Sequence, residues 1–402
     1  MSESLTSALR RGDLTPMVLP DYKAGSLVNL MASIEAGLGD ETPRYAPLAG
    51  LDPSRLRRAK RVVLLVVDGL GYDLLVRAGG DGALHRRLEG KITSVFPSTT
   101  AAALATILTG AAPQQHALTG WFVNVPELGG VTAVLPCRPR GGGAPRGRAG
   151  VDAAKLFDQV PLVDRLRARS YLVVPRRIAG SEFNTAYGGR AERRPYRAPR
   201  GFFRAIERVL REPDPRQYVY AYWPELDGLA HEHGIGSALV AAHLAEFDRA
   251  FEAFLRAIAG SGSLVIVTGD HGLIDSGPDR LIELDRHPAL AATLRLPLCG
   301  DRRAAYCYVH PEQRDAFERY VRVHLADCAA LVESRTLVEQ GYFGLGPPHP
   351  RLLERVGDYT LIMQGTWAIK DWVPGERRYA HIGLHGGLSP EEMYVPLVVA
   401  EA

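Results

Sequence analysis

The sequence predicts an α/β protein built on a mostly parallel sheet with helices on both faces. Short apolar runs rich in β-branched residues alternate with segments of helical period along the 402 residues, as repeated strand–helix units require. These runs are nearly continuous in apolar residues, which is typical of strands that are buried on both faces. A chain of this length can bury one large core, with or without insertions.

The individual elements follow from these runs. The predicted strands are residues 61–67, 91–96, 171–174, 217–223, 263–268 and 394–400, and the predicted helices lie near 101–109, 160–169, 201–211 and 238–259.

Two segments interrupt the pattern. The Gly- and Arg-rich stretch CRPRGGGAPRGRAG, at 137–150, predicts a flexible surface loop, with an anion-gripping arginine loop as the alternative. Residues 275–380 predict a small α+β cap-like insertion beside the functional edge, with a strand in AAYCYVH, a helix in PEQRDAFERYVRVHL and a later strand or hairpin in GDYTLIMQGTWAIKD. We therefore assign 1–274 and 381–402 to the α/β core domain.

Composition narrows the classes of function. The formal net charge of +3 is close to neutral and does not indicate binding to a nucleic-acid polymer or a membrane surface. The chain shows neither a signal-peptide pattern nor an apolar run of the ~18 residues that a membrane-spanning helix needs. Four cysteines without metal-ligand spacing fit reduced thiols, so we expect a cytoplasmic protein. The oligomeric state stays open.

Three aspartates follow predicted strands. Asp68 comes directly after RVVLLVV, Asp227 lies four residues beyond QYVYAYW, and Asp270 follows SLVIVTG. In open parallel sheets, ligand sites lie at the carboxyl ends of the strands. Carboxylates crowded at one edge raise each other's pKa unless cations neutralise them. A single aspartate there is usually a turn or cap residue, but three together indicate a metal site.

Histidines accompany these aspartates. His231 follows Asp227 by one helical turn, and His271 is adjacent to Asp270. His385 precedes two glycines in HIGLHGG, and His381 is the alternative candidate in that stretch. Imidazole and carboxylate ligands without thiolate suit Zn²⁺, Mn²⁺ or iron better than Ca²⁺.

The run FPSTTAAALATILTG, at 96–110, places three hydroxyls at the start of an alanine-rich helix. Ser and Thr are common helix caps, and capping alone would explain them. The first turn of a helix also attracts anions, so a hydroxyl there could attack a phosphate.

Taken in order, Asp68, TTAAALATILTG, DGLAH, GDHG and LHGG resemble the alkaline phosphatase superfamily, and within it the type I phosphodiesterase/nucleotide pyrophosphatase family. The resemblance spans most of the predicted core. It implies an alkaline-phosphatase-like fold and a hydrolase that acts on phosphodiester or phosphoanhydride bonds of a small molecule or nucleotide.

The resemblance also implies roles for individual residues. The nucleophile of the family lies ten residues before the glycine of a TG pair, which is Gly110 here, so Thr100 matches it and Thr99 is held in reserve. A covalent phospho-threonine intermediate is implied. Two divalent metals are implied, Zn²⁺ with Mn²⁺ as the alternative. The resemblance implies that one metal is bound by Asp68, Thr100, Asp270 and His271, and the other by Asp227, His231 and His385.

The substrate pocket is less defined by sequence. Tyr222 matches a tyrosine that stacks on the base in nucleotide pyrophosphatases, although a core tyrosine fits equally well. Where those enzymes carry a phosphate-binding asparagine, this chain has Trp121, with Asn124 three residues later. The alternatives that stay open are a phosphomonoesterase or phosphonate hydrolase on the same core and a non-catalytic ligand-binding relic.

Overall fold

The computed structural model describes residues 16–39, 42–143, 153, 156–376 and 378–402. The strands are β1 (Arg61–Val67), β2 (Leu88–Thr93), β3 (Phe122–Val125), β4 (Gly130–Ala133), β5 (Arg138–Pro139), β6 (Arg169–Val173), β7 (Glu192–Arg193), β8 (Gln217–Trp223), β9 (Ser263–Thr268), β10 (Ile274–Asp275), β11 (Leu281–Glu283), β12 (Cys299–Gly300), β13 (Ala304–Cys307), β14 (Ala329–Glu333), β15 (Tyr359–Met363), β16 (Ala368–Lys370), β17 (Gly383–Leu384) and β18 (Tyr394–Glu401).

The α-helices connect these strands. They are α1 (Leu27–Leu38), α2 (Pro53–Arg58), α3 (Tyr72–Ala78), α4 (Thr100–Thr109), α5 (Pro113–His116), α6 (Glu182–Ala186), α7 (Phe202–Leu210), α8 (Glu225–His233), α9 (Ala238–Ala257), α10 (Pro288–Ala291), α11 (Arg314–His324), α12 (Ser334–Glu339), α13 (Leu352–Val356) and α14 (Pro390–Met393).

The central sheet of the core has the strand order β2-β18-β9-β1-β8-β6-β7 among the described residues. Strand β1 runs parallel to β8 and β9, whereas β18 runs antiparallel to β9 and β2. The register pairs Val67 with Trp223 and Val66 with Thr268. The carboxyl ends of β1, β8 and β9 therefore lie side by side, and the residues that follow them share one edge.

Helices cover both faces of this sheet, because successive side chains of a strand point to opposite faces. In β1, Val62, Leu64 and Val66 pack in a core cluster with α1 and α4, while Val63 and Leu65 pack on the opposite side with α7 and α9. All of these residues are buried. The predicted fold class is confirmed.

A second, antiparallel sheet lies beside the core, in the order β14-β15-β13-β12-β3-β4-β5. Its strands β12 to β15 come from the predicted insertion 275–380, but β3 to β5 come from residues 122–139. The sheet is thus shared between two distant parts of the chain. The division of the chain into a core and a 275–380 cap stays a prediction.

Several local predictions need correction. The predicted helix at 160–169 is a single 3₁₀ turn at Leu162–Asp164 that follows Pro161, and β6 begins at Arg169. The predicted loop 137–150 begins with β5, and its residues 144–150 lie outside the described part. Strands β15 and β16 do not form a hairpin, since β15 joins the second sheet and β16 pairs with β11. Among the described residues, no helix is both long and apolar enough to span a bilayer.

Candidate active site

One group of metal-ligating side chains lies where β1 and β9 end. Ligand atoms of Asp68, Asp270 and His271 all lie within 4.8 Å of one another, and the three residues are buried. Nε2 of His271 is 3.4 Å from an oxygen of Asp68 and 3.5 Å from an oxygen of Asp270. The side chains that follow neighbouring parallel strands thus meet at the edge of the sheet, as the sequence predicts.

A second group shares His271 with the first. Ligand atoms of Asp227, His271 and His385 lie within 4.8 Å of one another. His231, one turn beyond Asp227 on α8, places Nε2 3.3 Å from an Asp227 oxygen. The rings of His271 and His385 are stacked with centroids 3.7 Å apart. The rival His381 stacks on His231 instead and belongs to neither group.

The three histidines present the same ring nitrogen to the carboxylates. Nδ1 of His271 lies 3.0 Å from the Gly272 carbonyl, and Nδ1 of His231 lies 2.7 Å from the Gly383 carbonyl. Nδ1 of His385 is 3.2 Å from a third backbone carbonyl, that of Ser98. A carbonyl only accepts, so each Nδ1 carries a proton and each Nε2 is the nitrogen that faces the carboxylates. This is the orientation in which histidine binds metals.

The carboxylates leave oxygens without hydrogen bonds. Oδ1 of Asp68, Oδ1 of Asp227 and Oδ2 of Asp270 are buried and have no partner among the described residues. A buried carboxylate oxygen without a partner is costly. One such oxygen in each of three neighbouring carboxylates, facing three imidazole nitrogens, is a donor set that fits divalent cations.

The electrostatics support the same conclusion. Burial raises the pKa of Asp227 to about 6, and burial together with the charge of Asp68 raises the pKa of Asp270 well above its usual value. Burial lowers the pKa of His271, but the carboxylates of Asp270 and Asp68 outweigh it and raise that pKa to about 10. These groups need positive charge between them, which a dication supplies as well as protons do.

Thr100 is the first residue of α4, and its hydroxyl lies 3.1 Å from Nε2 of His271. Thr99 is the N-cap residue, and its side chain makes no capping hydrogen bond to the helix. The Thr99 hydroxyl is buried and has no hydrogen-bond partner among the described residues. Of the two threonines, the structure brings Thr100 to the metal-ligating groups.

Tyr222 lies at the end of β8, beneath the first group of metal-ligating side chains. Its side chain is 5% exposed and packs in the core, and its hydroxyl donates a hydrogen bond to Oδ2 of Asp68. In this position Tyr222 orients Asp68. Its stacking on a substrate base stays a prediction.

A cavity of about 250 Å³ opens from Thr100, Asp227, His231 and His385 towards the second sheet. Trp121 and Phe122 line it from the start of β3. Asn124 does not line the cavity, because it lies two residues along β3 and is 9% exposed. The contact of Asn124 with substrate stays a prediction.

Sequence reasoning misses several residues of this cavity. Asp301, Arg302, Lys370 and Tyr379 line it from the predicted insertion, and none of these four stands in a motif. Arg140 lines it from the end of β5, within the stretch 137–150 for which an anion-gripping arginine loop is the alternative prediction. Their approach to Thr100 depends on how the second sheet packs against the core, which no local pattern in the sequence indicates.

The fold and the site together define a phosphoric-ester hydrolase of the alkaline phosphatase superfamily. The sequence model of the family described as type I phosphodiesterase / nucleotide pyrophosphatase matches residues 62–388. The chain belongs to this family. No curated, characterised protein matches the chain by sequence.

Solved structures share the fold at low sequence identity. Murine ectonucleotide pyrophosphatase/phosphodiesterase 5, in an inactive threonine-to-alanine variant complexed with AMP, is 16% identical with a TM-score of 0.63 over 84% of this chain and 87% of that one. The human protein of the same name is 15% identical, with a TM-score of 0.60 over 84% and 87%. Phosphonoacetate hydrolase from Sinorhizobium meliloti, complexed with phosphonoformate, is 19% identical, with a TM-score of 0.56 over 85% and 90%.

Proposed function

We propose that the protein is a two-metal phosphodiesterase/nucleotide pyrophosphatase in which Thr100 is the nucleophile. The observation that carries the proposal is the position of the Thr100 hydroxyl, 3.1 Å from Nε2 of His271. It lies at the start of a helix and beside buried carboxylates whose oxygens lack partners.

Two sets of residues would hold the metals. Asp68, Asp270, His271 and the Thr100 hydroxyl form one set, and Asp227, His231 and His385 form the other. Oxygen and imidazole donors without thiolate favour Zn²⁺, with Mn²⁺ as the alternative. When bound, such ions lower the pKa of a coordinated hydroxyl or water and stabilise charge on the attacking and leaving oxygens.

The residues of the chain then perform a double displacement. The Thr100 hydroxyl gives up its proton to water and its oxygen attacks phosphorus, while the bond from phosphorus to the leaving oxygen breaks. The free N–H groups in the first turn of α4 orient the non-bridging oxygens. Water next attacks the phospho-threonine, the bond from phosphorus to the Thr100 oxygen breaks, and the hydroxyl is restored.

The supporting residues keep the nucleophile and ligands in register. Tyr222 holds one oxygen of Asp68, so that the other oxygen points towards His271. The backbone carbonyls of Gly272 and Gly383 fix the tautomers of His271 and His231. Ligands that are oriented in this way lose little entropy when the reacting groups assemble.

The solved relatives support a small, phosphorus-containing substrate. One of them is complexed with AMP and another with a phosphonate, and the inactive murine variant has lost a threonine. The chain-specific observations favour a diesterase over the non-catalytic alternative, because all seven candidate ligands are present. Five of them make up the two groups, Thr100 lies 3.1 Å from His271, and His231 lies 3.3 Å from Asp227.

A substrate panel tests the proposal. The metal-replete protein is assayed with bis(4-nitrophenyl) phosphate, 4-nitrophenyl thymidine 5′-phosphate and ATP, and with 4-nitrophenyl phosphate and phosphonoacetate as the alternatives. A Thr100→Ala preparation purified in parallel measures contaminating activity. The proposal requires diesters or anhydrides to be preferred. If kcat/KM for the monoester or the phosphonate exceeds that for the diesters by about tenfold or more, ~1.4 kcal/mol of transition-state stabilisation, the assignment is wrong.

A further inference from the structure

The far wall of the cavity carries three cationic side chains from the second sheet and its neighbours. Arg302 lies in the turn between β12 and β13, Lys370 ends β16, and Arg140 follows β5. All three line the same cavity as Thr100. They differ in how their charges are compensated.

Arg140 and Lys370 have carboxylate partners. The Arg140 side chain is 2% exposed and forms ion pairs of 2.6 Å with Asp371 and 2.9 Å with Glu376. Nζ of Lys370 lies 3.3 Å from the same Glu376. Two carboxylates thus serve two cations, and this part of the wall is close to neutral.

Arg302 has no such partner. Among the described residues, no carboxylate lies within 4.0 Å of its guanidinium, and its buried Nη2 makes no hydrogen bond. The guanidinium carbon lies 5.1 Å from the ring centroid of Tyr379 and 5.8 Å from that of Trp372. Burial lowers the pKa of Arg302, although the Tyr379 hydroxyl and the more distant Asp301 oppose the shift. An arginine nevertheless stays protonated, so a cation is held at the cavity without a counter-charge in contact.

The turn that carries Arg302 is fixed in place. The next residue, Arg303, forms a buried ion pair of 2.9 Å with Glu392, and Glu392 also accepts a hydrogen bond from the N–H of Gly387. The Arg302 carbonyl accepts a hydrogen bond of 2.9 Å from the N–H of Ile369 on β16. The guanidinium is therefore preorganised beside Lys370 and next to the loop that carries His385.

We propose that Arg302, with Lys370 beside it, binds a second anionic group of the substrate. The group is a phosphate or carboxylate oxyanion carried by the phosphorus substituent that lies in this cavity. Guanidinium groups bind both oxyanions through paired N–H donors, and an anion would offset the cost of burying the unpaired charge. The proposal rests on the proposed function and narrows its substrates to diesters or anhydrides with a charged substituent.

The test compares substrates that differ in this charge. The probes are bis(4-nitrophenyl) phosphate, which has an uncharged substituent, 4-carboxyphenyl 4-nitrophenyl phosphate, which carries a carboxylate, and ATP, which carries further phosphates. Each is assayed with the wild type, Arg302→Gln and Arg302→Lys. Arg286→Gln is the matched control, because Arg286 also belongs to the predicted insertion 275–380 and its side chain is 80% exposed.

In Arg302→Gln, kcat/KM for a charged probe should fall by about tenfold or more relative to the uncharged probe, and Arg302→Lys should recover part of the loss. If kcat/KM falls selectively for ATP alone, the group bound by Arg302 is a phosphate. If it falls selectively for the carboxylate probe alone, the group is a carboxylate. Arg286→Gln should change none of the ratios. Equal losses on all three probes, or none, in a folded variant would overturn the subsite. A wild type that cleaves none of the probes would instead refute the proposed function.

Discussion

The side chains of Arg303 and Glu392 form an ion pair of 2.9 Å in which the two are 1% and 0% exposed. Arg303 lies between β12 and β13 of the second sheet, while Glu392 lies on α14 of the core and accepts a hydrogen bond from Gly387. One buried carboxylate thus joins the second sheet to the loop that carries His385. The shape of the cavity depends on this connection.

Replacing this carboxylate should therefore destabilise the fold strongly. Glu392→Gln leaves the buried guanidinium of Arg303 without its counter-charge, which typically costs about 3–5 kcal/mol. Urea unfolding measures the change in the free energy of unfolding. The matched control is Glu354→Gln, which removes an exposed pair with Arg351 and should cost under ~1 kcal/mol. Equal, small costs for both variants would show that the buried pair does not hold the two parts together.

Measurements of metal content should distinguish the roles of two histidines on α8. His231 places Nε2 next to Asp227, whereas His233 points to Glu232 on the surface. The wild type should bind about two divalent ions per chain, and His231→Gln should lose about one of them with most of the activity. His233→Gln should retain both. Elemental analysis that finds the same metal content in the two variants would refute the ligand assignment.

Tyr222 should affect metal affinity and activity only through its hydrogen bond to Asp68. Removing the hydroxyl in Tyr222→Phe frees an oxygen of Asp68 and should weaken metal affinity or activity by about 10–100-fold, the usual effect of losing a partner that orients a ligand. Tyr218→Phe is the control on the same strand, since only burial shifts the pKa of Tyr218. Metal titration of both variants measures the effect. Matching affinities would show that the hydrogen bond to Asp68 has no functional role.

The preference for a charged substrate should depend on pH through Lys370. Burial, assisted by Arg140 and Arg302, lowers its pKa from 10.5 to about 8, against the opposing charges of Glu376 and Asp371. Because the folded-state pKa is depressed, the positive charge is present below pH 8 and is lost as the pH rises through that value.

The ratio of kcat/KM for 4-carboxyphenyl 4-nitrophenyl phosphate to that for bis(4-nitrophenyl) phosphate should accordingly fall between about pH 7 and pH 9. Neither probe titrates in this range. Lys370→Gln should give a lower ratio that does not vary with pH. A slope that persists unchanged in Lys370→Gln would assign the pH dependence to another group.

The site residues that can be predicted from the sequence are those positioned by regular strands and helices. Asp68 and Asp270 follow neighbouring parallel strands, so the topology of the sheet alone brings them to one edge. Asp227 and His231 are four residues apart on α8, a spacing that places both on one face of a helix. These residues meet without help from any distant segment.

The remaining features depend on tertiary packing. The second sheet pairs β3 with β12, two strands that are far apart in the sequence. No local sequence pattern therefore indicates that Arg302 and Lys370 line the cavity. The sequence leaves the role of Tyr222 open, because strand alternation assigns the side chain to one face of the sheet but does not indicate what covers that face. Tyr222 shares its face with Tyr218 and Tyr220 in the core under α1 and α4, and its hydroxyl contacts Asp68.

Thr99 and Thr100 provide the sharpest comparison, because both hydroxyls begin the same helix. Thr100 lies next to His271, whereas Thr99 is the N-cap and makes no capping hydrogen bond. Thr100→Ala should lower kcat by about 10³-fold or more with metal content near that of the wild type, since the carboxylates and imidazoles remain. Thr99→Ala should change kcat far less and should not cost the usual capping energy of ~1 kcal/mol.

The most direct measurement is peptide mass mapping of the protein quenched during turnover of a slow diester. The account predicts a phosphoryl or nucleotidyl adduct on Thr100, present in the wild type and in Thr99→Ala and absent from Thr100→Ala. An adduct on Thr99 or Ser98, or full activity in Thr100→Ala, would contradict it.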